Sequence, residues 1–270
     1  MSNTIVSLQT TQGSSIKQLI ECLSPLLTDI NLIFYPKSHK NKGGICIKEI
    51  NKQSSVLVHC MLEASKFETY TYNSTKDKIV IGINLNYLLK CLKCMNNFDI
   101  MTWEINKDNI NELVINFELK TNQKSEKKIF KLNLMDLEYN DMNIDPINFS
   151  YLINMPSQDF QKYCKDMACA TDKLELICNK NKLIFKGKGD LGSIEFQTQE
   201  INGGMSIQIT DTDCKLFQGF FELKYLLIFT KCTNLCNNLY LYLKNGYPLI
   251  IEYTVAALGK IKLVLSPSKS

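Results

Sequence analysis

Arginine is absent from this chain, so all 31 basic residues are lysine. A guanidinium is a planar fork that reads base edges bidentately, whereas a lysine ammonium is a compact point charge. An all-lysine surface therefore suits contact with phosphates regardless of base sequence. AT-rich coding accounts for the same absence, because asparagine and isoleucine are abundant. Histidine is scarce, with two residues, His39 and His59. His39 lies in a lysine-rich loop and His59 inside a strand pattern, so neither completes a zinc site. There is no P-loop and no dinucleotide-binding glycine pattern. No apolar run approaches the ~18 residues that a bilayer span needs. The N-terminus lacks the basic and apolar segments of a signal peptide. These absences predict an intracellular, non-membrane chain with no metal or cofactor.

Cysteine, by contrast, is plentiful. Eleven cysteines are scattered through predicted helices and strands, as small buried hydrophobes in a reducing compartment would be. Cys91 and Cys94 form a C-x-x-C. They sit in mid-helix, away from the helix N-terminus that favours a thiolate, and no second C-x-x-C lies nearby. A thiol-dependent enzyme built on this pair is the rival reading from a different class. Hydrophobic content of 45% and charged content of 21% are ordinary for a globular protein. A length of 270 residues allows two domains of roughly 130 residues, each with its own core.

A ten-residue pattern, L-x-Y-L-L-x-x-x-K-C, occurs at Leu85–Cys94 and again at Leu223–Cys232. The spacing is about half the chain, which predicts a duplicated domain. Alternating or apolar-rich runs predict strands at Ser55–Leu62, Lys78–Ile83, Glu112–Leu119, Lys173–Cys178, Leu183–Lys186, Leu239–Leu243, Leu249–Val255 and Lys260–Leu265. Gly43-Gly44, Gly203-Gly204 and Asn245-Gly246 mark turns. Four segments have helical spacing instead: Ser14–Leu26 with serines to cap it, Leu85–Asn96, Ser157–Ala170 with Ser157 as the expected N-cap, and Leu223–Leu235. Each half thus runs helix, strands, helix, strands. The expected division is 1–135, a connecting linker over 136–149 without clear period, and 150–270.

The helices carry lysines at spacings that return to one face: Lys90 with Lys93, Lys162 with Lys165, and Lys224 with Lys231, joined by Lys17 on the first helix. Their other positions are largely apolar. Amphipathic helices with basic outer faces, backed by sheets, can line a groove or ring for duplex DNA. A merely solvated lysine face is the alternative.

Several stretches resemble the sliding clamps of the proliferating cell nuclear antigen (PCNA) family over nearly the whole chain. They include Gln12-Gly13-Ser14, Phe67-Glu68-Thr69-Tyr70, Gly82-Ile83-Asn84-Leu85, Leu134-Met135-Asp136-Leu137, Met155-Pro156-Ser157, Phe229-Thr230-Lys231, Pro248–Tyr253 and Leu265-Ser266-Pro267. The resemblance implies an α+β fold of two similar clamp domains per chain. Helices would line a channel and antiparallel sheets would form the outer shell of a homotrimeric ring. It implies a non-catalytic processivity factor that encircles double-stranded DNA without sequence preference and tethers a DNA polymerase and other replication and repair proteins. A clamp loader is a further implied partner. The location implied is nuclear, or a cytoplasmic viral replication site for a viral member.

By position, Lys17, Lys90, Lys93, Lys162, Lys165, Lys224 and Lys231 correspond to the family's basic channel residues. Gln18 and Cys169 fall where the family often carries a basic residue. A partner-peptide pocket transfers to Ile50, Met142, Ile144 and Phe149, together with Pro248, Val264, Ser266 and Pro267. Val264 stands in place of the usual aromatic residue. Subunits would join through sheet edges at Lys127–Leu134, with Phe130 and Leu132, and at Gly192–Thr198, with Ile194 and Phe196. The net charge of +4 departs from the acidic cellular members and fits a divergent viral one. It equally suits a monomeric or dimeric basic viral processivity factor that binds DNA directly.

Overall fold

Period-two patterning governs most of the computed structural model, which describes residues 3–38, 42–120, 125–144, 146–190, 192–201 and 204–269. His39 and Gly203 lie outside these residues. In Val56–Glu63, for example, Val56, Val58, Cys60 and Leu62 are buried and the residues between them are half-exposed, as a strand with one face on a core requires.

In chain order the first half runs β1 (Thr4–Thr10), α1 (Gly13–Leu23), β2 (Asp29–Tyr35), β3 (Gly44–Ile50), β4 (Val56–Glu63), β5 (Thr69–Tyr72), β6 (Ile79–Asn84), α2 (Leu85–Lys93), β7 (Ile100–Asn106), β8 (Asn109–Lys120) and β9 (Ser125–Asn133). The second half runs β10 (Tyr151–Pro156), α3 (Ser157–Met167), β11 (Lys173–Cys178), β12 (Lys182–Gly189), β13 (Gly192–Gln199), β14 (Ser206–Ile209), β15 (Phe217–Glu222), α4 (Leu223–Phe229), β16 (Asn238–Leu243), β17 (Leu249–Val255) and β18 (Gly259–Leu265).

Strands of the first half are ordered β5-β1-β7-β8-β9 and β6-β2-β3-β4. Those of the second half are ordered β14-β10-β16-β17-β18 and β15-β11-β12-β13. Advancing each label of the first half by nine reproduces the second, so the duplication seen in two ten-residue segments extends to the whole topology. The fold is α+β with two similar domains built from antiparallel sheets. Two compact units result: Met1–Glu49 with His59–Met142 and Val255–Ile261, and Ile50–Val58 with Asn143–Thr254 and Lys262–Ser270.

The four helices stand where their spacing predicts, but their ends differ. α1 buries Ile16, Leu19, Ile20 and Leu23 and stops at Leu23, short of Leu26. Pro25 follows at once, and it cannot donate the next helical hydrogen bond. No serine caps this helix, because Gln12 occupies the N-cap without a side-chain bond. Ser157 is likewise no N-cap. Pro156 holds that position, and the buried Ser157 hydroxyl instead lies 2.6 Å from the Cys236 carbonyl. A tertiary acceptor has taken the hydroxyl from its own helix. α2 is capped by Asn84, whose side-chain oxygen accepts from the Asn86 and Tyr87 N–H groups at 3.1 and 3.2 Å.

α4 gives way after Phe229 to a tighter 3-10 turn over Thr230–Leu235. The Thr230 hydroxyl donates to the Leu227 carbonyl at 2.8 Å, and Gln161 Nε2 donates to the Thr230 carbonyl at 3.0 Å. Both bonds draw carbonyls that a continuing α-helix would use. Within each half the two helices pack together, α1 on α2 and α3 on α4. Leu85, Leu88 and Leu92 are fully buried in the first half, and Phe160, Leu226 and Phe229 are at most 1% exposed in the second. Each such side chain contributes about 1.5–3 kcal/mol by leaving water, so the apolar stripes fix which helix face remains outside.

Candidate nucleic-acid interface

Burying those stripes turns the lysines outward. Lys90 and Lys93 on α2, Lys162 and Lys165 on α3, Lys224 on α4 and Lys231 in the following 3-10 turn are all exposed. Lys17 on α1 is half-buried, as is Gln18, and Cys169 is exposed just beyond α3. The structure therefore gathers Lys17, Lys90 and Lys93 on one helix pair and Lys162, Lys165, Lys224 and Lys231 on the other.

Local partners temper some of this charge. Lys224 lies 3.7 Å from Glu222 and its ammonium stands 5.0 Å from the Tyr225 ring centroid. An exposed pair of this kind is worth at most about 1 kcal/mol, so Lys224 remains available to a phosphate. Lys128, which the helix pattern does not reveal, donates to the Cys94 carbonyl at 3.0 Å. It places a further cation at the negative end of α2.

The linker is tied along the first unit as far as Met142. The Met135 N–H donates to the Gly82 carbonyl at 2.8 Å, forming an isolated antiparallel bridge on the open edge of β6. Asn31 Nδ2 donates to the Glu138 carbonyl at 3.2 Å, and Lys48 Nζ to the Met142 carbonyl at 2.8 Å. Lys78 Nζ donates to Asp141 Oδ2 at 2.6 Å and to the Tyr139 hydroxyl at 3.1 Å, 4.5 Å above the tyrosine ring. This ammonium holds the Asp141 carboxyl below its ordinary range, with the Tyr139 hydrogen bond adding to the effect. Gly82 is glycine for a local reason. A Cβ there would lie 2.4 Å from the Met135 carbonyl oxygen and 2.7 Å from Leu137 Cγ.

Of the residues assigned to a partner pocket, Ile50 and Ile144 are 47% and 41% exposed. Ser266 and Pro267 are exposed, while Met142, Phe149, Pro248 and Val264 are half-buried. The second unit carries a surface cavity of about 530 Å³ that includes Phe149 with Ile147, Leu152, Tyr242 and Lys244. Phe149 packs edge-on against Tyr242 with ring centroids 5.5 Å apart. The cavity thus contains Phe149 but not Pro248, Val264 or Pro267. Tyr242 is anchored beneath by donating to the buried Glu252 at 3.1 Å, a placement that the strand alternation of Leu239–Leu243 does not disclose.

Comparison with known sequences decides the family. The N-terminal domain of proliferating cell nuclear antigen matches residues 5–141, and its C-terminal domain matches residues 143–268. The chain belongs to the PCNA family. A relative described as a probable DNA polymerase sliding clamp, from Acanthamoeba polyphaga mimivirus, is 30% identical over 295 residues. That match takes in 98% of this chain but only 62% of the mimivirus protein. A probable DNA polymerase sliding clamp 1 from Paramecium bursaria Chlorella virus 1 is 30% identical over 272 residues, covering 98% of this chain and 97% of the viral protein.

In this PCNA-family chain, β9 and β13 each end their sheet. Leu132 is 7% exposed, and Phe130 packs on Phe117 with centroids 5.7 Å apart. Both turn toward their own unit, and the apolar side chain that β9 presents to solvent is Ile129, 56% exposed. On β13, Ile194 and Phe196 are half-buried, and Phe196 stacks on Tyr163 at 5.6 Å. The backbone edges are thus the open feature of both strands. Cys91 is half-buried, and burial, reinforced by the neighbouring Cys94, raises its thiol above the ordinary range, which disfavours the thiolate that nucleophilic chemistry needs.

Proposed function

We infer that this chain is a DNA sliding clamp: a non-catalytic, ring-forming tether that encloses duplex DNA and keeps a polymerase on its template. The observation that carries this reading is the duplication itself. Two domains of one topology each present a helix pair that carries lysines on its outer face, and the lysines recur at matched places, Lys93 in one copy and Lys231 in the other. Point charges without arginine forks give contact that is indifferent to base sequence, as sliding requires.

In the assembly we propose, β9 of one subunit joins β13 of the next. Head-to-tail contacts of this kind close into rings when the rotation permits, and each junction would cover two open sheet edges. Light scattering at micromolar concentration is expected to give three chains of 30.9 kDa, about 93 kDa together. A dominant 30.9 kDa species would favour the monomeric basic processivity factor instead.

Partner proteins would dock through a short segment of the form Gln-x-x-aliphatic-x-x-aromatic-aromatic, inserting its anchors beside Ile144, Pro248 and Val264. The exposed Ile144 and the half-buried Pro248 and Val264 offer apolar surface that such anchors can desolvate. Ile144→Asp is expected to weaken a synthetic peptide of this pattern about thirtyfold, because docking would bury an unpaired carboxylate. The assembly mass should not change. Equal affinity of parent and variant in a calorimetric titration would place the pocket elsewhere.

A further inference from the structure

Tyr87 and Tyr225 occupy the same position of the repeated L-x-Y-L-L pattern, yet they meet opposite surroundings. Tyr225 is 7% exposed and Tyr87 is 58% exposed. In α2 the buried residues are Leu85, Leu88 and Leu92, so Tyr87 shares the outer face with Asn86, Lys90 and Lys93, all exposed. The Lys90 ammonium lies over the Tyr87 ring, 5.5 Å from its centroid. That is an i, i+3 pairing in which the ring quadrupole steadies a flexible cation. These residues border a shallow surface cavity of about 470 Å³. The first copy of the helix therefore displays an exposed aromatic hydroxyl beside its cations, and the second copy does not.

We propose that Tyr87 is a direct contact to the DNA backbone: its phenol O–H donates to a phosphate oxygen while its ring holds the Lys90 ammonium toward the same strand. This rests on the reading that the polar face of α2 lies against DNA. The chemistry gives Tyr87 a signature unlike that of any lysine. An ammonium bound to phosphate displaces condensed counterions, so its contribution fades as salt rises. A neutral hydroxyl displaces none, so its contribution is the same factor at every salt concentration. A phosphate oxygen is charged, which makes the hydrogen bond stronger than a neutral pair.

The test is a titration of the full chain with a short blunt-ended duplex, whose free ends admit threading, across a series of salt concentrations. Tyr87→Phe keeps the ring and its stacking on Lys90 and removes only the hydroxyl. It is expected to lower affinity about tenfold at each salt concentration with the log–log slope unchanged. Lys93→Ala, run alongside, is expected to make the slope shallower by about 0.9 for the phosphate it releases. If Lys93→Ala shifts the slope and Tyr87→Phe matches the parent throughout, the tyrosine contact is overturned and the DNA face stands. A Tyr87→Phe effect that appears only as a slope change would mean that the residue acts solely through the lysine charges, which overturns the direct hydrogen bond. If neither variant differs from the parent, the DNA face is overturned, and this inference with it.

Discussion

Replacing Lys93, Lys165 and Lys231 together by alanine is expected to weaken duplex binding by about two to three orders of magnitude at 0.1 M salt for each chain that contacts the duplex. Each phosphate neutralised contributes about 0.9 to the log–log salt slope. Three lost contacts make that slope shallower by roughly 2.7 per chain, and the deficit grows as salt falls below 1 M. The loss should be the same on unrelated sequences, because a point charge does not read bases. All three side chains are exposed, so the core does not depend on them. Lys93 and Lys165 do stand in the last turns of their helices, where a cation is worth about 0.3–1 kcal/mol. A small fall in Tm should therefore accompany the change, with the oligomeric mass unaltered. If the triple variant kept both the affinity and the salt slope of the parent, these lysines would be an ordinary solvated face.

Gly82→Val is expected to cost about 3 kcal/mol of stability, the upper end of what forced overpacking usually costs. The reason is the 2.4 Å approach that a Cβ would make to the Met135 carbonyl oxygen. Backbone cannot swing aside as a flexible side chain can. The bridge in which Met135 N–H donates to Gly82 must open, and the linker must lift from the edge of β6. A fall in Tm of roughly 6–12 °C should result for a protein of this size. Limited proteolysis should also begin to cut between Leu134 and Met142, a stretch that its hydrogen bonds are expected to protect in the parent. Unchanged Tm together with unchanged resistance would show that Gly82 does not clamp the linker.

The sequence disclosed the parts of this molecule whose physics is periodic. Four amphipathic segments and one duplicated decapeptide sufficed to predict the helices, the repeat and the basic faces, because burial writes a regular stripe into a helix. Helix ends were less legible. The continuation of α4 beyond Phe229 is decided by the Thr230 hydroxyl and by Gln161, 69 residues away. Ser157 has the composition of a cap, yet its hydroxyl is claimed by a carbonyl 79 residues distant. The linker anchors were not legible at all. Asn31, Lys48 and Lys78 act across separations of 107, 94 and 63 residues, and no local pattern marks them. Tyr87 and Tyr225 make the same point from within the repeat, since identical letters in one motif end up exposed in one copy and buried in the other.

The linker's attachment has an evolutionary consequence. Met135, Glu138 and Met142 are held through their main chains, by a backbone N–H and two carbonyls. The side chains that choose this geometry, Asn31 and Lys48, reside on β2 and β3. Mutations that change Glu138 or Met142 therefore leave those bonds intact, and each new side chain is displayed on an unchanged rail. Substitutions at Glu138 or Met142 can therefore accumulate without loosening the scaffold. Tyr139 and Asp141, held through their own side chains by Lys78, are not free in this way. A change at Asn31 or Lys48 would remove one tie whatever sequence the linker carried.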